Sequence, residues 1–400
     1  MNLPIKFGTD GVRGPMGQWP ITAEGARIIG QAIAAWTQRG LILIGRDTRA
    51  SGMELESALI DGMVQGGSKV RTMGVVPTAA VSCAVVAEHA NAGVMITASH
   101  NPWQDNGIKV VDDRGEKLTD TSPLSNWFNS PPTALGGEAE PLPNPLHPWK
   151  DRLPKVRLNG RKILLDAAHG AGFECAWQVL EDLGATVEAV ASAPNGQNIN
   201  AGVGAMHPPT DLRGCDFAIC LDGDADRLVM VDPNQGVMDG DDFLWFLSHG
   251  KDGPVVGTVM TNGGLEEALG KRLIRTGVGD AKVWAEMLRV DACIGGEPSG
   301  HMMMKDGMPT SDGLYTALRI LHGTNGTLPS RGWSRKPQAH RNVREVTLDP
   351  NLVSIHQARA AAHRVLVRAS GTEPLVRVMV EGADAERWAE EIARSLPRTQ

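Results

Sequence analysis

Three aspartates alternate in DGDADR, Asp222 to Arg227, which follows the apolar run FAICL. Alternating aspartates at the end of a strand bring three carboxylates within reach of one point, and a hard cation such as Mg²⁺ prefers oxygen ligands. An EF-hand calcium loop is excluded, because Arg227 stands where a further oxygen ligand is required and no bidentate glutamate follows. The residues alone leave two interpretations open, a metal site and an exposed acidic turn.

A serine stands in a predicted turn after the strand-like run GVMI, in TASHNP, Thr97 to Pro102. With His100 beside it and Lys109 downstream in DNGIK, the Ser99 hydroxyl could be a nucleophile among basic groups. The alternative is structural, since serine and asparagine are common caps and turn residues. No GxSxG elbow accompanies the serine, so nothing indicates a serine hydrolase.

Two further polar segments could bind a phosphorylated sugar. RASGTEPLVR, Arg368 to Arg377, offers turn N–H groups and hydroxyls between two arginines, and a dianionic phosphate needs such donors. GEPSGH, Gly296 to His301, alternates three polar residues that could face one side and bind sugar hydroxyls: Glu297, Ser299 and His301. Taken singly, the first could equally be a surface turn with solvated arginines, and the second a polar loop.

The elements that must position these residues are predicted to be βα units. Short apolar runs alternate with longer helical patterns, which indicates a mostly parallel sheet. Three stretches share one order of buried strand, glycine-rich turn and amphipathic helix: Leu41 to Gly52, Lys162 to Gly172 and Val255 to Glu266. Ligands of α/β sheets gather beyond the carboxyl ends of such strands. We therefore expect three related α/β domains.

Two stretches are predicted to connect domains. Residues 129–151 are rich in proline and are expected to be extended or irregular. Residues 322–340 are poor in periodic apolar positions. The chain beyond them, which ends in a helical pattern near Ala385 to Leu396, is predicted to form a small α+β domain.

The composition is that of a soluble globular chain. Its formal net charge of −7 argues against general binding of nucleic acid or anionic membranes. The five cysteines form no CxxC pair and predict reduced thiols in a cytoplasmic protein. The N-terminus has no apolar run of signal-peptide length, and no stretch reaches the roughly 20 apolar residues of a membrane helix.

Together with FGTDGVRG, Phe7 to Gly14, the four polar segments resemble the α-D-phosphohexomutase superfamily. The resemblance runs from residue 7 to residue 382 and includes each diagnostic loop in order. Four stretches are most similar to the members that isomerise glucosamine phosphate: FGTDGVRG itself, NGQNINAGVGAMHP (Asn195 to Pro208), GTVMTNGGLE (Gly257 to Glu266) and RASGTEPLVRVMVEG (Arg368 to Gly382).

The resemblance implies four domains around a central cleft, each contributing one loop. Three similar α/β domains with mixed, mostly parallel sheets would carry the phosphoserine loop (residues 1–150), the metal loop (151–240) and the sugar-binding loop (241–328). A smaller α+β C-terminal domain (338–400) would carry the phosphate-binding loop.

The resemblance also implies roles in phosphoryl transfer. Ser99 would carry a phosphoryl group whose oxygen joins three carboxylates in holding one Mg²⁺: Asp222, Asp224 and Asp226. Four basic groups would surround the transferring phosphoryl group: Arg13, His100, Lys109 and Arg227. Either Lys109 or His301 would be the general acid or base.

The remaining implied roles concern binding. Sugar hydroxyls would bind Glu297 and Ser299. The phosphate that is not transferred would bind five residues: Arg368, Ser370, Gly371, Thr372 and Arg377. Arg46, in GRDTRASG, is expected to be a supporting residue.

The implied reaction interconverts glucosamine 6-phosphate and glucosamine 1-phosphate through phospho-Ser99 and a 1,6-bisphosphate, in amino-sugar nucleotide biosynthesis. The implied substrate is a hexosamine phosphate or a hexose phosphate. Ser99 would first be phosphorylated by a kinase or by a bisphosphate donor, and the protein would be a monomer or a homodimer. Phosphoglucomutase or phosphomannomutase activity is the alternative within the superfamily. A non-catalytic sugar-phosphate-binding homologue is the alternative of another class, although a binder would require neither Ser99 nor the aspartates.

The chain departs from the family pattern in three respects. At 400 residues it is short, with the losses expected between the first two domains and in the third. Pro298 stands where a polar residue is usual in the sugar loop. VGDAKV, Val278 to Val283, lacks the arginine of the family's VGDRYV, although Lys282 is close by. The last two departures concern the sugar, whereas the metal and phosphoryl-transfer residues match the family pattern completely.

Overall fold

Short apolar runs form the strands of four β-sheets, and helices from the intervening segments pack on them. The computed structural model describes residues 5, 7, 8, 11–118, 122–128, 136–361, 363–369 and 375–398. The chain divides into two compact units, residues 1–260 with 274–331 and residues 261–273 with 332–400.

The first sheet has six strands: β1 Val12–Pro15, β2 Leu41–Arg46, β3 Lys69–Val75, β4 Ala92–Ile96, β5 Asp105–Val111 and β6 Glu138–Pro141. Their order is β1-β5-β4-β2-β3-β6. The β2–β3, β2–β4 and β3–β6 pairs are parallel, whereas β4–β5 and β1–β5 are antiparallel. Five helices accompany the sheet: α1 Ala23–Trp36, α2 Gly52–Gln65, α3 Thr78–Ala87, α4 Ser122–Ser125 and α5 His147–Arg152.

The parallel strands of this sheet bring two loops to one edge. Ile42 and Ile44 belong to a hydrophobic core shared with α1 and α2, and Leu43, on the opposite face of β2, is equally buried. Burial on both faces explains why LILI is apolar throughout instead of alternating. Because β2 and β4 are parallel, the turns at Asp47 and Thr97 emerge side by side at their carboxyl ends.

Residues 129–135 of the proline-rich stretch 129–151 lie outside the described residues, and the rest of the stretch is only partly as predicted. Its strand β6 is extended and forms the edge of the sheet. The prediction of extended or irregular chain is wrong at the other end, where α5 forms with Pro148 in its first turn. A proline is tolerated there because the first N–H groups of a helix have no partner within it. The buried Trp149 anchors the helix to the protein.

The second sheet has five strands: β7 Lys162–Asp166, β8 Thr186–Val190, β9 Phe217–Leu221, β10 Leu228–Asp232 and β11 Gly236–Met238. Their order is β11-β10-β9-β7-β8, with α6 Cys175–Asp182 connecting β7 to β8. The β7–β8 and β7–β9 pairs are parallel, and the β9–β10 and β10–β11 pairs are antiparallel. All five residues of β9, the run FAICL, are buried.

The third sheet has four strands: β12 Val255–Thr258, β13 Leu273–Thr276, β14 Ile294–Gly296 and β15 Met302–Met304. Their order is β13-β12-β14-β15, and β14 and β15 form a tight antiparallel hairpin. Three helices belong to this region: α7 Gly240–Ser248, α9 Asp280–Val290 and α10 Gly313–His322. Helix α8 Gly263–Leu269 belongs to the second unit.

The fourth sheet is small and antiparallel: β16 Gln338–Arg344, β17 Arg364–Ala369 and β18 Leu375–Glu381, in the order β16-β18-β17. Two helices accompany it: α11 Val353–Ala360 and α12 Ala385–Ser395. Trp388, Ala389 and Ile392 form the apolar stripe of α12 and pack with the buried valines of β18. The predicted C-terminal helix is therefore present.

The predicted fold class is confirmed, with mixed α/β sheets and a small C-terminal sheet domain. None of the five cysteines forms a disulfide. Within the described ranges no helix has both the length and the apolar character needed to cross a bilayer.

Candidate active site

Three carboxylates occupy the turn between β9 and β10. These strands are antiparallel neighbours, so residues 222–227 must reverse the chain. The Ala225 N–H donates to the Asp222 carbonyl, and Ala225 itself is left-handed, with φ +59°. The turn brings Asp222, Asp224 and Asp226 together without solvent exposure, with carboxylate oxygens within 4.8 Å of one another.

The predicted nucleophile lies against this acidic turn. Ser99 follows β4 and is left-handed, with φ +51°, which is uncommon for a residue other than glycine. Its hydroxyl donates a hydrogen bond to Asp222 Oδ2 at 2.7 Å, and the residue is almost fully buried. Gly223 permits this approach, because a Cβ there would lie 2.5 Å from the Ser99 carbonyl oxygen. The predicted phosphoserine and metal loops therefore meet.

Two lysines contact the carboxylates. Lys109, in β5, places Nζ 2.8 Å from Asp224 Oδ2 and 3.0 Å from Asp226 Oδ2. Lys117, on the chain returning from β5, lies 3.7 Å from Asp226 Oδ2 and forms an ion pair with Asp280. Both lysines are buried, so solvent screens these attractions weakly. Lys117 and Asp280 are functional candidates that the sequence analysis missed.

His301 connects the predicted sugar loop to the acidic turn. The hairpin between β14 and β15 places His301 Nε2 2.9 Å from Asp226 Oδ1 and Nδ1 3.2 Å from Glu297 Oε2. Burial disfavours the imidazolium, but the two carboxylates outweigh it and raise the pKa of His301 to about 10. Both ring nitrogens then donate to carboxylates. The 3.3 Å approach of Arg227 Nε to His301 is accordingly a contact between cations and not a hydrogen bond.

His100 has the opposite electrostatic surroundings. Burial, with the positive charges of Arg227, Arg13 and His301, lowers the pKa of His100 to about 3, so its imidazole is neutral at pH 7. Its Nδ1 is buried and has no hydrogen-bond partner among the described residues. Arg227 Nε lies 3.7 Å from Asp222 Oδ2. The predicted basic groups are thus brought to one region.

The predicted sugar-binding residues differ in their surroundings. Glu297 is buried; its Oε1 accepts the Gly279 N–H at 2.8 Å, and its Oε2 faces His301. Burial opposes its ionisation, but the interactions with His301 prevail and lower the pKa of Glu297. Ser299 is exposed at the tip of the hairpin. The structure therefore brings Glu297 and His301 together and leaves Ser299 in solvent.

The predicted phosphate-binding residues belong to the second unit. Arg368, near the end of β17, is directly opposite Arg377 of β18. Facing residues of an antiparallel pair share one face of the sheet, so two arginines are presented together. Ser370, Gly371 and Thr372 lie outside the described residues.

The GRDTRASG segment supports the site through an arginine other than the predicted one. Arg46 Nε pairs with Glu56 of α2 at 3.0 Å. Arg49, by contrast, is completely buried beside Asp47 and donates to the main chain around Ser99. The adjacent Asp47 was a signal for a buried ion pair, but nothing local distinguishes the two arginines.

The acidic turn fits a divalent cation. Asp224 Oδ2 accepts from Lys109 and Thr78, whereas Asp224 Oδ1 is buried with no hydrogen-bond partner within the described part of the chain. Burial and the charges of Asp226 and Asp224 raise the pKa of Asp222 to about 7. A bound Mg²⁺ would relieve this repulsion, and the ligands are the hard oxygens that it prefers.

Three parts of the chain match one protein family. Residues 4–123 match "Phosphoglucomutase/phosphomannomutase, alpha/beta/alpha domain I", residues 243–330 match its alpha/beta/alpha domain III, and residues 335–396 match its C-terminal domain.

Curated relatives are similar over nearly their whole length. The phosphoglucosamine mutase of Verminephrobacter eiseniae is 39% identical over 95% of this chain and 92% of its own. That of Paracidovorax citrulli is 40% identical over 95% of this chain and 96% of its own.

Solved structures share the fold. A phosphoglucomutase/phosphomannomutase family protein from Burkholderia thailandensis aligns over 99% of this chain and 100% of its own, with a TM-score of 0.75 and 23% identity. N-acetylphosphoglucosamine mutase from Aspergillus fumigatus, in complex with GlcNAc-6P and magnesium, aligns over 98% and 95%, with a TM-score of 0.66 and 17% identity.

Proposed function

Because the chain belongs to the phosphoglucomutase/phosphomannomutase family, the α-D-phosphohexomutases, we propose that it is a phosphoglucosamine mutase. This isomerase would interconvert glucosamine 6-phosphate and glucosamine 1-phosphate, the substrate class for which its nearly full-length relatives are named. The observation that carries the chemistry is the buried Ser99 hydroxyl, hydrogen-bonded to the Asp222 carboxylate at 2.7 Å.

One Mg²⁺ would be held by Asp222, Asp224 and Asp226, with an oxygen of phosphorylated Ser99 as the fourth ligand. When bound, the ion neutralises the charge that develops on the phosphoryl oxygens during transfer. Lys109 contacts the second and third of these carboxylates and would keep them oriented. The unpartnered Asp224 Oδ1 supports this assignment.

Phospho-Ser99 would donate its phosphoryl group to the free hydroxyl of the sugar phosphate. The bond from phosphorus to Ser99 Oγ breaks as the bond to the sugar oxygen forms, giving a 1,6-bisphosphate. The bisphosphate then reorients, and its other phosphoryl group returns to Ser99. The phosphate has moved between C1 and C6 while the phosphoserine is regenerated.

The basic groups would stabilise this transfer and manage its protons. Arg13, Arg227 and the neutral His100 would bind the phosphoryl oxygens. The sugar hydroxyl must lose a proton, and Ser99 Oγ must gain one. His301, whose pKa is raised to about 10, is protonated at neutral pH and suits the acid role. Lys109 remains the other candidate acid or base, and to act as a base it would first have to release the proton that it donates to Asp224 and Asp226.

The rest of the substrate would be bound by two loops. Glu297 and Ser299 would contact sugar hydroxyls. The distal phosphate would bind Arg368, Ser370, Gly371, Thr372 and Arg377. The cross-strand position of the two arginines supports this, because it presents both guanidinium groups on one face of the sheet, where they could bind one anion.

We assign one of these loops to each of four domains, at residues 1–150, 151–240, 241–328 and 338–400. Ser99 must first receive a phosphoryl group, either from a kinase or from a hexose 1,6-bisphosphate. A cytoplasmic location and a monomeric or dimeric state remain predictions.

The proposed substrate is tested by comparing turnover of glucosamine, glucose and mannose phosphates with a hexose 1,6-bisphosphate primer. Glucosamine phosphate is expected to have the highest kcat/KM. The margin is expected to be small, because Pro298 and the missing arginine of VGDAKV alter the sugar region. A clear preference for mannose phosphate would contradict the substrate and leave the family membership intact.

The phosphoserine is tested by intact-mass measurement. Active protein should contain a fraction about 80 Da heavier, the increment of one phosphorylation. Ser99→Ala should lack both this fraction and mutase activity, because no other group is proposed to carry the phosphoryl group. Full activity in Ser99→Ala would refute the mechanism.

A further inference from the structure

The loop that carries Ser99 surrounds a buried ion pair. The Asp47 and Arg49 side chains have no solvent exposure, and Arg49 Nε donates to Asp47 Oδ2 at 2.9 Å. An ion pair is costly to bury unless every remaining donor is also satisfied. The contacts made by this guanidinium therefore indicate what the pair holds in place.

Every N–H of the Arg49 guanidinium has an acceptor. Nη2 donates to the carbonyls of Ser99 and Asn101 at 2.9 and 2.8 Å. Nη1 donates to the carbonyls of Pro102 and Asp105, the latter at 2.9 Å. One rigid, permanently charged fork thus binds four main-chain oxygens of the loop.

The partner carboxylate acts on the other side of Ser99. Asp47 Oδ2 accepts from the Thr97 hydroxyl at 2.6 Å, and Thr97 Oγ1 accepts the Ser99 N–H at 2.9 Å. Both the N–H and the carbonyl of Ser99 are therefore bound by this cluster. These bonds offset the cost of the left-handed φ of +51°, which directs the hydroxyl to the carboxylates.

Asn200, from the segment that follows β8, binds the same carbonyls. Its Nδ2 donates to Ser99 O at 2.9 Å and to Asn101 O at 3.1 Å. These are the two oxygens that Arg49 Nη2 also binds. Arg49, from the turn after β2, and Asn200, from the segment between β8 and β9, therefore bind the same part of the β4–β5 loop that carries the serine.

We propose that Asp47, Arg49, Thr97 and Asn200, here called the serine clamp, are positioning residues for phosphoryl transfer. The serine clamp holds Ser99 Oγ at the metal carboxylates and does not itself touch substrate. This role rests on the proposed mutase function. A displacement near 1 Å can slow an enzyme about a hundredfold, so loss of the serine clamp lowers kcat and leaves KM nearly unchanged.

The test uses near-isosteric variants, because Arg49→Ala would leave Asp47 buried and unpaired and would destabilise the fold. Thr97→Val removes only the hydroxyl and is expected to lower kcat about tenfold to a hundredfold, with KM within about twofold. Thr97→Ser restores the hydroxyl and is expected to recover kcat to within about threefold of wild type. If Thr97 only stabilised the fold, its loss would not lower kcat selectively while leaving KM nearly unchanged.

Asn200→Ala tests the second contact against a matched control in the same loop. Among the described residues, the Asn198 side chain bonds only to Asn195 N and Ala193 O, so Asn198→Ala removes hydrogen bonds of the same kind away from Ser99. Asn200→Ala is expected to lower kcat about tenfold at nearly constant KM, and Asn198→Ala to retain wild-type kcat. Wild-type kcat in both Thr97→Val and Asn200→Ala would overturn the proposal.

A crystal structure of Thr97→Val separates this proposal from the mutase function. Ser99 is expected to leave φ near +51° and its 2.7 Å contact with Asp222. An unmoved Ser99 would refute the serine clamp even in an active mutase. Conversely, the wild-type protein could lack mutase activity while Ser99 is displaced in Thr97→Val. That result would refute the proposed mutase function but not the positioning role of the serine clamp.

Discussion

Replacement of Lys117 by Met provides a quantitative test of the buried charges. Lys117 and Asp280 form an ion pair with side chains only 6% and 5% exposed. Lys117 Nζ also lies 3.7 Å from Asp226 Oδ2, whereas Lys117 is the only ion-pair partner of Asp280 among the described residues. Lys117→Met keeps the aliphatic stem and removes the charge, leaving Asp280 buried and uncompensated.

The expected cost follows from the burial of both partners. Removing one member of a buried ion pair destabilises a protein by about 3–5 kcal/mol. At about 2 °C per kcal/mol, the value for large domains, the melting temperature should fall by roughly 6–10 °C. Asp280→Asn should lower the free energy of unfolding by less, about 1–3 kcal/mol. Lys117 keeps its ion pair with Asp226 in this variant, and the amide oxygen of Asn can still accept a hydrogen bond from the Ala281 N–H.

The assay is a double-mutant cycle measured by thermal and urea unfolding. Lys117→Met combined with Asp280→Asn removes both charges, so the double variant should be about 2–3 kcal/mol more stable than the sum of the single costs predicts. The matched control is Lys69→Met, which breaks the Lys69–Glu138 pair, 72% and 64% exposed. It should unfold like wild type, since exposed pairs contribute little.

Two results would refute this reasoning. Additive single costs would mean that Lys117 and Asp280 do not interact energetically in the folded protein. A larger cost for Asp280→Asn than for Lys117→Met would contradict the argument that Asp226 compensates the remaining lysine.

Three further predictions concern the metal, the substrate and pH. Chelation with EDTA should abolish turnover, and Mg²⁺ should restore it better than Ca²⁺. Asp224→Asn should abolish turnover in the same way without unfolding the protein. Wild-type rates in excess EDTA would contradict the metal site. Arg368→Ala should raise KM about ten- to a hundredfold for all three hexose phosphates, from a loss of about 1.5–3 kcal/mol. Glu297→Ala should change the kcat/KM of the three sugar phosphates unequally. If instead Arg368→Ala discriminated among the sugars and Glu297→Ala did not, the roles assigned to the sugar loop and the phosphate loop would be reversed. Burial raises the pKa of Asp312 from 3.8 to about 6, so the native state favours its protonated form, and stability present at low pH is lost as pH rises through 6. When urea unfolding is measured from pH 3.5 to pH 7, the free energy of unfolding of Asp312→Asn should rise relative to that of wild type by on the order of 3 kcal/mol. If the difference between the two proteins stayed constant across this range, the effect would be excluded.

Much of the fold and of the acidic turn could be predicted from local patterns. LILI and FAICL predict buried strands, and both form β-strands in which most residues are buried. The aspartates follow β9 immediately, so their proximity to one another depends on a single short turn. The local sequence pattern did not predict α5, because this helix is held by a distant contact. Its Trp149 donates a hydrogen bond to Asp312 at 2.6 Å, and the two residues are 163 positions apart in the sequence.

By itself, the sequence determined the strands and helices with strong periodicity, the three adjacent carboxylates and the serine in a turn, because these depend on neighbours within a few residues. Only the tertiary structure decided that Arg49 and not Arg46 reaches the Ser99 loop. The same holds for the pairing of Lys117 with Asp280, which are 163 residues apart. Such pairings require side chains from elements that are distant in sequence or lie on different strands to approach within about 3 Å, the distance of a hydrogen bond. Local periodicity records which side of an element is buried, but it carries no information about which distant residue it will meet.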